Sequence, residues 1–139
     1  PMVGRAQGRV LNVASIAAFQ PIPTLATYAA TKAYVLSLTE SLAEELRGSG
    51  VSVTALCPGI TATRMLDTAA QANAQVAQIP AVLIGDVEAV ARDGFNACMR
   101  GDVICVPGVV NQAAVLASRS TPRWLLRRVA GLVGRKALS

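Results

Sequence analysis

The run Arg9-Val-Leu-Asn-Val-Ala-Ser15 ends thirteen residues before Tyr28-Ala-Ala-Thr-Lys32. The first stretch is short and apolar at Val10, Leu11, Val13 and Ala14, the near-continuous pattern of a buried strand in a parallel sheet. The second lies near the start of the longest helical pattern, Leu25 to Arg47, which Gly48-Ser49-Gly50 terminates. Two prolines in Phe19-Gln20-Pro21-Ile22-Pro23 make the connection a loop. Thr24 is placed to cap the helix. Leu38, Leu42 and Leu46 form its expected apolar stripe, with Glu40, Glu44 and Glu45 off it. Val51 to Cys57 reads as a second strand, closed by Pro58-Gly59. Strand, long helix, strand is a βαβ unit.

Outward from that unit, Ile60 to Ile84 is rich in Ala and Gln with weak periodicity, and reads as a short helix or two. Asp86 is expected to cap a helix to about Met99, with Val87, Val90, Ala91, Phe95 and Cys98 on one face. Asp102 to Val106 is a third strand, stopped by Pro107-Gly108, and helical segments follow near 110–118 and 122–134. The fold class is therefore α/β: half of a doubly wound parallel sheet, about three strands with flanking helices. So few parallel strands need helices on both faces.

Composition agrees. Apolar residues make up 53% of the 139 residues and aromatics only 4%, so the core must be built of Ala, Val and Leu. The three cysteines, Cys57, Cys98 and Cys105, are odd in number and contain no C-x-x-C pair. They read as reduced and mostly buried in a cytoplasmic protein, without a metal site. No signal peptide opens the chain and no apolar run reaches transmembrane length. The opening Pro1-Met2 reads as part of something longer. All eight acidic residues lie at or before Asp102, whereas Arg119, Arg123, Arg127, Arg128, Arg135 and Lys136 follow it. The net charge of +5 thus describes a tail, not a nucleic-acid-binding domain.

The chemistry sits in the opening stretch. Residues four apart on a helix share a face, one turn apart, so Tyr28 and Lys32 are neighbours. An ammonium near a phenol favours the phenolate, which makes the phenol a better proton donor or acceptor. Ser15, at the end of a neighbouring strand, can hold a carbonyl beside them. This is a proton-transfer site in a chain without histidine. Taken singly, Tyr28 and Lys32 are an ordinary amphipathic pair and Ser15 a turn residue. Their concurrence with Pro58-Gly59 is what raises them above that. Asn12, Cys57 and Cys105 read as structural.

Ser15, Tyr28, Lys32 and then Pro58-Gly59-Ile60-Thr61-Ala62-Thr63 resemble the short-chain dehydrogenase/reductase family over about Gly8 to Gly108, corresponding to its C-terminal half. The resemblance implies that Tyr28 is the general acid in carbonyl reduction and the base in alcohol oxidation. Lys32 would favour the Tyr28 phenolate and hydrogen-bond the nicotinamide ribose, and Ser15 would polarise the substrate carbonyl. Pro58, Gly59 and Ile60 would shape the turn facing the nicotinamide, and Thr61 and Thr63 would hold its carboxamide. Residues 60–85 would be the substrate flap. The implied function is an NAD(P)-dependent oxidoreductase interconverting a carbonyl and a secondary alcohol, with NAD versus NADP undetermined. The Gly-rich pyrophosphate turn of the family's N-terminal half is absent here, so a catalytically inactive fragment, kept as a folded or oligomeric module, is the alternative.

The resemblance implies that residues 1–108 are the C-terminal part of an NAD(P)-binding domain, the C-terminal half of a Rossmann-like doubly wound sheet, and that 109–139 are a basic C-terminal helical extension. The expected partners are a small hydrophobic carbonyl or alcohol and further copies of the chain, packed through the helix that carries Ala26, Ala29, Ala30 and Ala33. The extension groups Trp124, Leu125, Val129, Leu132 and Val133 on a broad apolar face beside Arg123 and Arg127. It reads either as packing on the subunit or as peripheral membrane contact through 119–139.

Overall fold

The computed structural model describes residues 1–62 and 83–136. Strands β1 (Gly8–Val13), β2 (Val51–Leu56) and β3 (Ile104–Cys105) lie side by side in that order, all parallel. Helix α1 (Ala26–Glu45) connects β1 to β2, and α2 (Val87–Arg100) precedes β3. Helices α3 (Val109–Ser120) and α4 (Arg123–Lys136) follow it.

The register decides where the functional end of the sheet lies. Gly8 pairs with Val51 and Val13 with Leu56, so β1 and β2 finish level. The backbone ladder runs on past both ends: Ala14 N–H donates to Leu56 O at 2.7 Å and Ile16 N–H to Pro58 O at 3.0 Å. Ser15 and Pro58-Gly59 therefore emerge together at the carboxyl ends of adjacent parallel strands, where α/β sheets gather ligand-binding groups. The core lies just behind them. Ala14, Leu36, Ala55 and Cys57 are buried, with Ala18, Phe19, Val35, Ile104 and Val106 packed on them. These are mostly small side chains, which let α1 approach the sheet closely. A polar pin fixes that approach: Asn12 Nδ2 donates to Thr39 Oγ1 at 2.9 Å, and the Thr39 hydroxyl donates to Val35 O at 2.7 Å.

Asp86 caps α2 as its sequence position predicts, its carboxylate accepting from Ala89 N–H at 2.8 Å. Four expectations are corrected. Thr24 does not cap α1; Leu25 stands at that position, and Thr24 has φ 74°, outside the extended conformation a capping side chain needs. The buried stripe of α1 is Ala29, Leu36 and Thr39, not Leu38 and its successors, and Leu38 is exposed. In α2 the buried residues are Gly94, Ala97 and Cys98, while Val87 and Phe95 are exposed. The absence of a side chain at Gly94 explains the rotation: a Cβ there would lie 2.6 Å from Leu56 Cδ2, so the helix packs through that glycine. Finally, β1 alternates in exposure, with Leu11 and Val13 on a side that no described element fully covers.

Candidate active site

Ser15 follows β1 and caps the 3-10 turn Ile16–Phe19, its Oγ accepting Ala17 N–H at 3.1 Å. The residue is buried, and its hydroxyl reaches Pro58 O only at 3.5 Å. That is long for an O–H donor. The oxygen is thus fixed by Ala17, while its proton is weakly held and can turn to a better acceptor.

Lys32 reaches back from the second turn of α1 to the end of β1, where Nζ donates to Val13 O at 3.1 Å. The same nitrogen lies 5.8 Å from the centroid of the Tyr28 ring. The ammonium is therefore held between the strand end and the phenol. It has three protons; one is spent on Val13, and the others can serve a ligand. Ser15, Tyr28 and Lys32 lie at one end of the sheet. Neither the Val13 carbonyl nor its bond to Lys32 could be read from sequence, because a backbone acceptor carries no residue signature.

Pro58 and Gly59 follow β2 on the same side. A Cβ on Gly59 would fall 2.4 Å from Asn111 Oδ1 and 2.6 Å from Asn111 Nδ2. Asn111, in the first turn of α3, is itself tied to Pro107 O at 2.8 Å through Nδ2. The turns Pro58-Gly59 and Pro107-Gly108 thus close around one amide, a clamp that sequence reading missed. Only the Asn placed four residues after a strand-ending proline hints at it. Thr61 Oγ1 donates to Gly59 O at 3.2 Å, which stiffens the turn. Thr61 also pairs with Gly85 in a parallel bridge, with Gly85 N–H donating to Ile60 O at 2.7 Å and Ala62 N–H to Gly85 O at 3.1 Å. The ends of segment 60–85 are therefore joined; its interior, with Thr63, lies outside the described residues. A cavity of about 250 Å³ opens here, lined by Gly59, Ile60, Thr61, Val90 and Asn111 among others.

Two further groups shape the surroundings. Arg119 lies over the Phe19 ring at 4.9 Å, holding α3 against the turn that follows Ser15. Cys57 is fully buried, and burial pushes its thiol up to about 11. It is a neutral packing residue and not a nucleophile. Among the described residues no group of His, Cys, Asp and Glu could hold a metal.

A nicotinamide cofactor makes two demands, and these residues fit one of them. The spare Lys32 protons and the level strand ends suit hydroxyls and an amide, as the nicotinamide ribose presents. The cavity is below the roughly 300–1,000 Å³ of clefts that take drug-sized ligands. It suits one end of a dinucleotide, not the whole. No described residue forms a Gly-rich phosphate turn after a strand.

A parallel sheet with a Ser, a Tyr-Lys pair and a Pro-Gly turn gathered at its strand ends defines an α/β fold whose candidate site lies at the carboxyl edge of the sheet. Residues 1–74 match the short chain dehydrogenase family, and the chain belongs to it. It is 41% identical over 63 residues to a diacetyl reductase [(S)-acetoin forming] of Staphylococcus epidermidis, covering 45% of this chain and 24% of that protein. The fold matches a 7β-hydroxysteroid dehydrogenase with a TM-score of 0.77 at 24% identity, over 94% of this chain and 50% of that one. It also matches a short-chain dehydrogenase from Sphingobium yanoikuyae in complex with NADPH, with a TM-score of 0.67 at 26% identity, over 85% of this chain and 45% of that one. The chain spans between about a quarter and a half of the length of these proteins.

Proposed function

We propose that this chain carries the proton-transfer half of an NAD(P)-dependent oxidoreductase that interconverts a carbonyl and a secondary alcohol. The observation that carries this reading is the seat of Lys32. Its ammonium, tied to Val13 O at 3.1 Å, stands beside Tyr28 at the strand end that also presents Ser15. In reduction, Ser15 Oγ–H turns from its long contact with Pro58 O to the substrate carbonyl oxygen and polarises it. Tyr28 Oη delivers the proton to that oxygen, and the Lys32 ammonium stabilises the negative charge left on the phenol. The bound nicotinamide supplies or accepts the hydride. Lys32 would hold its ribose, with Pro58, Gly59, Ile60 and Thr61 bordering its ring and carboxamide; Thr63, expected to share that role, lies outside the described residues. The Sphingobium relative's NADPH supports the cofactor class.

The substrate is hydrophobic or neutral, since Arg64 is the only cation between Gly59 and Gly85. Exposed Tyr34 and Leu38 on α1 support assembly with further copies of the chain, and three free cysteines support a cytoplasmic location. In the complete enzyme, Tyr28→Phe is expected to lower kcat at least about 100-fold, the usual worth of a positioned proton donor, with the fold intact by circular dichroism. Undiminished turnover would remove Tyr28 from this role.

A second reading rests on the described residues alone, where no strand is followed by a Gly-rich phosphate turn. The chain would then act as a catalytically inactive module. Fluorescence titration of the 139-residue chain with NADH and NADPH separates the two, and tight binding of either would reject the inactive module.

A further inference from the structure

Helix α4 carries a contradiction that water does not resolve. It makes no extensive contact with another element among the described residues. Leu125, Val129 and Leu132, at spacings of i, i+4 and i+7, form one stripe, and all three are exposed, Leu132 by 60%. Trp124 is exposed too, with the Arg128 guanidinium 5.8 Å from its ring. Arg123, Arg127 and Arg128 are exposed on the same helix and Arg119 on α3. No acidic residue follows Asp102 to neutralise them.

The two faces of this helix demand different things of an occupant. A second copy of α4 would cover the stripe, but three side chains from each copy fall well short of the about 800 Å² per partner that a stable interface buries. A nucleic acid would neutralise the arginines and leave the stripe wet. An anionic bilayer meets both demands at once, with phosphates at the level of the guanidinium groups and acyl chains just beneath. Arginine stems reach from an apolar contact to such a headgroup layer, and Trp rings settle there. We propose that α4 lies flat on an anionic membrane surface, with Leu125, Val129 and Leu132 in the headgroup–acyl boundary, Arg128 at the edge of the stripe on a lipid phosphate, and Arg123 and Arg127 on the opposite, headgroup-facing side. The helix does not cross: its 14 residues extend only about 21 Å against a hydrocarbon core of roughly 30 Å. No helix among the described residues is long and apolar enough to span. The proposal stands apart from the oxidoreductase reading, and its test needs no activity.

The test is partitioning of the 139-residue chain onto vesicles of phosphatidylcholine alone or with about a third phosphatidylglycerol. Binding is read by co-sedimentation and by emission of Trp124, the single tryptophan. The expected result is a blue-shifted Trp124 and at least about tenfold tighter binding to the anionic vesicles, weakened by salt. Arg127→Gln with Arg128→Gln should lower the partition constant by about 25-fold, at about fivefold for each cation near an anionic surface. Leu125→Asn with Leu132→Asn alters only exposed positions, and unchanged circular dichroism and melting would show the fold kept. This pair should lose at least about tenfold in binding through the lost apolar contact. Absence of binding and of a blue shift would overturn the proposal. So would full binding by the Leu-to-Asn pair, which would reduce the contact to plain charge attraction of the kind a nucleic acid also provides. A concentration-dependent dimer abolished by that pair, without vesicle binding, would assign the stripe to a second copy and overturn it too.

Discussion

Gly59→Ala tests the clamp around the strand-end turn. Gly59 does not occupy the left-handed region, so alanine meets no backbone penalty there. The nearest obstacle is Asn111, whose Oδ1, Nδ2 and Cγ would all lie within 2.7 Å of the new Cβ. Asn111 cannot simply swing away, because Nδ2 is bonded to Pro107 O at 2.8 Å. Accommodating the methyl requires about 1–3 kcal/mol of overpacking and breaks a bond worth about 0.5–1.5 kcal/mol. The expected loss is about 1.5–4.5 kcal/mol. Asn111→Ala alone should cost only about 1 kcal/mol. In the double variant the clash vanishes, so the two changes should couple by about 1–3 kcal/mol in the recovering direction. Urea unfolding of the four proteins, followed by far-UV circular dichroism, reads the cycle. A Gly59→Ala protein as stable as its parent, or a double variant no better than the sum of its parts, would refute the clamp.

Cys57 predicts a pH slope. Its thiol is pushed up to about 11 from the usual 9.0. The native state therefore keeps its proton where the unfolded chain loses it, so stability is full below about pH 9 and falls between about 9 and 11. The loss approaches at most about 3 kcal/mol, at 1.36 kcal/mol per pH unit. Unfolding midpoints across that window should show the slope in the parent and a shallower one in Cys57→Ala; identical slopes would sink it. Asn12→Ala removes the donor to Thr39 and should cost about 1–2 kcal/mol, seen as a lower urea midpoint at unchanged m-value. An unshifted midpoint would show that this pin contributes nothing.

The sequence carried the order of elements well because strands and helices here are separated by unambiguous punctuation: Pro21 and Pro23, Gly48-Ser49-Gly50, Pro58-Gly59, Pro107-Gly108. It carried the Tyr28–Lys32 pairing because a helix fixes which residues are neighbours. Faces were harder. Helix α1 is apolar around much of its circumference, with Tyr34 and Leu38 on the outside and Leu36 within, so periodicity alone could not choose the buried stripe. In α2 the choice fell to Gly94, whose missing side chain lets Leu56 approach, whereas a hydrophobicity pattern favours Phe95. The cap at Thr24 failed because the preceding proline loop delivers the chain in a left-handed conformation. The Lys32 bond to Val13 and the Asn111 clamp join residues whose meeting depends on the finished sheet, and no local signal encodes them.

The bridge between Thr61 and Gly85 has a consequence for how such a protein changes over time. Where two points of a chain are tied by backbone hydrogen bonds, the ends of whatever lies between them stay fixed, whatever its length. The tie sits within two residues of Gly59, whose carbonyl Thr61 also holds. Insertions and deletions between the tied points therefore need not disturb the strand-end turn. The bridge acts as a socket: what is plugged into it and the face that does the chemistry are free to evolve on separate schedules.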